Sequence, residues 1–118
     1  MDNRLIELED IGCDIEGALD RILNDEDLLI ECIAQVISDS GFDSLKQAIE
    51  GNNADEGFMA AHSLKGVAGN VGLTPLYDEI CVIVEKLRDR KMTDLSSLLP
   101  ILSNIEEIKA QIEDIISD

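Results

Sequence analysis

A single histidine, His62, is followed by Lys65, Gly66, Gly69 and Gly72. A solvated imidazole is largely neutral near pH 7 and is then a competent nucleophile. On a helix a residue at i+3 is a neighbour, so the Lys65 ammonium can be held against an anion on the ring, as charge-assisted contacts to phosphate are. The product implied by such a pair is a phosphohistidine.

Helical projection sets the orientation. At about 100° per residue, Gly57, Ala60, Ala61, Leu64, Val67, Ala68 and Val71 fall within roughly 60° of Leu64, in one apolar stripe. His62 lies about 160° from Leu64 on the same projection, with Gly66, Gly69 and Lys65 on its outer side. The imidazole is therefore expected to face solvent. A glycine inside a helix costs about 1 kcal/mol relative to alanine, and the projection puts neither Gly66 nor Gly69 on the packed face. Their expected use is steric access: missing side chains at i+4 and i+7 clear the surface for a partner that brings a reacting atom to a ring nitrogen.

His62-Ser63-Leu64-Lys65-Gly66, with Gly72 beyond it, is similar to the signature of histidine-containing phosphotransfer (HPt) domains. The resemblance continues through Leu73-Thr74-Pro75-Leu76 and, more loosely, covers the acidic helix entry Asn24-Asp25-Glu26-Asp27-Leu28-Leu29. It departs from the family at Val67, often a smaller residue there, and at Gly69, where Ala or Ser is common. The resemblance implies a phosphoryl carrier without kinase activity of its own. Such a carrier takes the group from a receiver-domain phosphoaspartate onto Nε2 of His62 and passes it to another receiver aspartate. The implied partners are response-regulator receiver domains and a sensor histidine kinase of the hybrid kind. The receiver brings the acidic pocket and its Mg²⁺, so no cofactor is expected on this chain. Two other readings stand beside it: a phosphoacceptor module of a chemotaxis-type histidine kinase, and a bundle that docks receivers without accepting phosphate.

Composition narrows the classes further. A length of 118 residues with 45% hydrophobic content suits one domain, taken as 1–118. A net charge of −17 and a pI of about 4.1 argue against nucleic acid and anionic membranes as partners. Met1-Asp2-Asn3-Arg4-Leu5-Ile6-Glu7 lacks the form of a signal peptide, and no apolar run reaches the roughly 20 residues of a membrane span. Cys13, Cys32 and Cys81 are odd in number and form no C-x-x-C pair, so buried thiols in a reducing, cytoplasmic setting are expected. With one histidine, no metal site is expected. Gly66-x-x-Gly69-x-x-Gly72 falls within and at the end of a helix, where it cannot cradle a nucleotide.

The remaining periodicity is helical throughout. Asp14 is placed to cap a short helix using Ile15, Ala18, Leu19, Ile22 and Leu23. A helix over about 25–39 shows Leu28, Leu29, Cys32, Ile33 and Val36 on one face, and Ile30, Ala34 and Ile37 as a second stripe, read either as partner docking or as deeper burial. A short helix spans about 43–50, ended by Gly51. Asn53 and Glu56 have capping-box spacing and open the His62 helix. Thr74 and Pro75 fit N-cap and N1 of a helix running to about Arg90, with Arg88-Asp89-Arg90-Lys91 suited to its carboxyl end. Leu95, Leu98, Leu99, Leu102, Ile105, Ile108, Ile112, Ile115 and Ile116 belong to the last helix, which Pro100 either kinks or starts late. The fold expected is all-α: an antiparallel four-helix bundle with additional short helices. Near His62, Met59 and Phe58 are docking candidates, with partial burial the competing reading for Phe58.

Overall fold

The computed structural model describes residues 1–117 as seven α-helices and one 3₁₀ turn: α1 (Asn3–Asp10), α2 (Ile15–Arg21), α3 (Glu26–Ile37), α4 (Gly41–Glu50), α5 (Ala54–Asn70), α6 (Thr74–Leu87), the turn Ser96–Leu98, and α7 (Leu99–Ile116). Asp2, Asp14, Asp25 and Asn53 cap α1, α2, α3 and α5 by accepting from backbone amides of the first turn. These local signals set where the chain enters each helix.

The bundle is held by three successive contacts, α4 with α5, α5 with α6, and α6 with α7. Residues 51–53 and 71–73 are the only links around α5, so its neighbours must run antiparallel to it. Helix α3 packs on α7, and Cys32 and Val36 flank the same groove as Val67 of α5 and Val71, the residue that caps it. Together α3 and α4 fill one position of the bundle. The break between them is a restart, where the Asp39 carboxylate accepts from the Gly41 amide at 2.7 Å. The all-α bundle is as expected, but α4 is a full member of it.

Small residues bring α5 close to its neighbours. Gly57, Ala61, Leu64 and Ala68 are buried on it, and a Cβ on Gly57 would stand 3.0 Å from Leu87 Cδ1. The core around them is Leu, Ile and Val from every helix, including Leu5 and Leu8 of α1, an element the periodicity of the chain did not announce.

Several boundaries differ from expectation for local reasons. Helix α2 ends at Arg21, because Leu23 and Asn24 take left-handed φ of 57° and 60°, which leaves Leu23 93% exposed. Leu28 is on the outer face of α3, and 41% exposed. Helix α4 ends at Glu50 with Gly51 as its cap, as expected, but the left-handed residue there is Asn52 (φ 55°), while Gly51 has φ −90°. Asn52 is also tied to the far loop, its side-chain oxygen accepting from the Leu95 amide at 2.8 Å. The cap of α6 is Leu73, with Thr74 already helical. That helix stops at Leu87, and Arg90 is left-handed (φ 57°). Pro100 lies in the first turn of α7, the late start of the two options.

Cys13 is buried, and Cys32 and Cys81 are half-buried. Among the described residues no helix is long and apolar enough to cross a membrane.

Candidate functional site

His62 stands in the middle of α5 and is exposed, while Ala61 and Leu64 on either side of it in sequence are buried. The apolar stripe thus turns the imidazole outward. Asn53 accepts from the Glu56 amide at 3.1 Å and fixes the start of this helix. At the other end the Arg21 guanidinium donates to the carbonyls of Asn70 (3.0 Å) and Gly69 (3.5 Å), and the Asp14 amide donates to the carbonyl of Gly72 at 2.8 Å. Unsatisfied carbonyls at a helix end need such partners. His62 is therefore on a rod held at both ends.

Around the imidazole the two directions along the helix differ. Toward the amino end, one turn back, the Phe58 ring lies 5.6 Å from the imidazole centroid with the planes tilted by 34°. Phe58 is half-buried against the core, and the Arg90 guanidinium sits 4.3 Å above its ring. Phe58 therefore has intramolecular partners on both counts, which fits the partial burial that competes with docking for this residue. Toward the carboxyl end, a Cβ on Gly66 would meet nothing within 4 Å. The surface next to the ring is open there.

Gly69 requires a correction. A Cβ on it would stand 3.1 Å from Cδ2 and Cε2 of Tyr77, so its missing side chain makes room for the α6 ring and does not clear a path to His62. Projection of α5 alone put it on the outer side, but α6 covers that side at this level. For the second stripe of α3, the structure favours deeper burial, one of the two readings, at Ile30 and Ile37. Ile30 and Ile37 are buried, and together with Ala34 they line a groove with Glu113 and Ile116 of α7. Ile30 and Ile37 belong to the core, while Ala34 is exposed at the groove.

Lys65 is half-buried and works with α6. The Glu85 carboxyl lies below the ordinary carboxylate range, chiefly because the Arg88 guanidinium donates to it at 2.7 and 3.3 Å, with the nearby Lys65 charge adding a smaller pull. Arg88, Arg90 and Lys65 thus bring cations to the α6 flank of a strongly acidic chain. On the opposite flank Met59 is 68% exposed. It lines a groove of about 650 Å³ with Ala60 and Ser63 of α5 and Gly41, Ser44 and Gln47 of α4.

Sequence reasoning missed Arg90 and the α4 wall. The basic run at 88–91 was visible, and an antiparallel α5–α6 pair puts the end of α6 beside the first turns of α5. What the run could not show was that Arg90 folds back over Phe58.

A sequence model described as the Hpt domain matches residues 38–118. No curated protein and no solved structure matches the chain. The matched span contains α4 to α7 whole and every residue around the imidazole just described, and on that ground the chain belongs to the Hpt domain family, the phosphotransfer modules of two-component systems.

Proposed function

We propose that His62 is the phosphoacceptor of a receiver-to-receiver relay, taking phosphate from the phosphoaspartate of a hybrid sensor kinase and giving it to a second receiver. The observation that carries this reading is the pairing of an exposed imidazole with open space above Gly66. In the forward step the Nε2 lone pair attacks phosphorus as the aspartyl P–O bond breaks, and the aspartate leaves as carboxylate. The return step reverses this on another aspartate. The transition state is loose and in line, so positioning and charge neutralisation dominate the barrier. Lys65 supplies a cation beside the ring. Gly66 leaves room for the receiver's acidic pocket, whose Mg²⁺ comes with the partner, so the reaction asks no cofactor of this chain. Met59 and the groove behind it give the receiver an apolar and polar edge to dock on.

A transfer assay tests the proposal. Purified chain mixed with phosphorylated receivers of the same cell gains acid-labile phosphate within the mixing time for its true donor, and His62→Gln gains none. Equal labelling of wild type and His62→Gln would end the reading. Binding without labelling would leave only a docking bundle.

A further inference from the structure

We propose that Arg90 and Phe58 form a clamp that fixes the imidazole of His62 from its amino-terminal side. The proposal rests on the phosphoacceptor reading and adds two positioning residues to it.

Helical side chains lean toward the amino end of the helix, so a residue at i and one at i−4 stack over each other. His62 accordingly leans onto Phe58, and their 5.6 Å centroid separation is within contact range for an aromatic pair. A ring can orient its neighbour only if it is itself held. Phe58 is held on one side by the core and on the other by Arg90, at 4.3 Å from the ring centroid.

The backbone at Arg90 gives a second, independent argument. The residue follows the end of α6 with φ 57°, its amide donating to the Leu87 carbonyl at 2.9 Å. Such a left-handed position just beyond a helix is where glycine is ordinarily found, because other residues are strained there. An arginine there keeps a side chain at the expense of backbone comfort, and the guanidinium over Phe58 is what that side chain does.

The clamp leaves the imidazole one free direction. Phe58 backs the amino side and nothing stands over Gly66 on the carboxyl side, so the nucleophilic nitrogen is offered where a phosphoryl group can approach. Losing the clamp lets the ring sample rotamers that face away. The expected effect on rate is about two- to fivefold, the factor that corresponds to a surface cation–π contact.

The test uses the full chain and phosphoramidate, a donor too small to need a docking surface. Its P–N bond breaks as the Nε2–P bond forms, and ammonia leaves with the proton. Arg90→Gly suits the left-handed backbone, so it leaves the thermal midpoint equal or higher while slowing phosphorylation of His62. Arg90→Lys restores most of the rate. Phe58→Leu slows it similarly, removes the ring-current shift on the His62 ring protons, and makes Arg90→Gly silent in the double variant. Wild-type rates in Arg90→Gly with unchanged His62 ring shifts would overturn the clamp, as would two effects that simply add. If wild type takes no label from any donor, the phosphoacceptor reading fails, and the ring shifts still decide the clamp.

Discussion

Tyr77 lays its ring against Gly69, leaving 3.1 Å to the point where a Cβ would stand. Gly66, one turn nearer the histidine, faces open space. Two glycines on one helix therefore separate by consequence. Gly69→Leu is expected to destabilise the bundle by about 1–3 kcal/mol, the usual result of overpacking. Gly66→Ala is expected to stabilise it by up to about 1 kcal/mol through helix propensity. Gly66→Leu should stay folded yet block transfer from receivers. Urea unfolding monitored by circular dichroism, paired with the transfer assay, checks all three.

Gly72 has φ 76°, and a Cβ there would run into the carbonyl oxygen of Asp14. Gly72→Ala combines left-handed strain with a backbone clash, for an expected loss of about 2–4 kcal/mol. Hydrogen exchange gives the sharper readout. The Asp14 amide, which donates to the Gly72 carbonyl, should lose protection before the amides in the middle of α5.

Burial pushes the Cys13 thiol from its ordinary 9.0 up to about 11. The folded chain thus holds this proton more tightly than the unfolded chain does. Stability linked to it is intact below pH 9 and is lost as pH rises toward 11, by on the order of 2 kcal/mol. The alkaline loss should shrink in Cys13→Ala, measured by denaturant midpoints from pH 8 to 11. In iodoacetamide labelling at pH 8, Cys13 should be the last of the three thiols to react.

Leu23 is 93% exposed and left-handed, so it gives no burial in return for its strain. The left-handed conformation costs an ordinary residue roughly 1–2 kcal/mol, and glycine gives back about 0.5–1 of that as chain entropy. Leu23→Gly should therefore raise stability by about 0.5–1 kcal/mol. A fall in the thermal midpoint would show that Leu23 has a contact the exposure conceals.

What could be read from the chain was whatever one helix decides alone. The stripe through Ala61 and Leu64, the outward His62, the Asn53 cap and the open Gly66 all follow from one helix's periodicity and its first turn. What failed or stayed open depended on a second helix. Gly69 projects outward until Tyr77 arrives from α6, and the second stripe at Ile30 and Ile37 is decided as core only once the bundle is packed. Helix α1 went unread because Leu5 and Leu8 are its only buried residues, too few to establish a period. Helix ends shifted where left-handed residues intervened, at Leu23 and Arg90, and after α4 the left-handed residue is Asn52; none of these is the glycine that composition leads one to look for.

The carboxyl end of α5 is held through its own main chain: Arg21 reaches the carbonyls of Gly69 and Asn70, and the Asp14 amide reaches that of Gly72. Main-chain carbonyls are the same in every sequence. A collar that grips them makes few demands on the side chains of what it grips. The grip on the rear of the rod thus depends on where Arg21 and Asp14 are placed, and that placement comes from the buried Ile15, Ala18 and Leu19 of their own short helix.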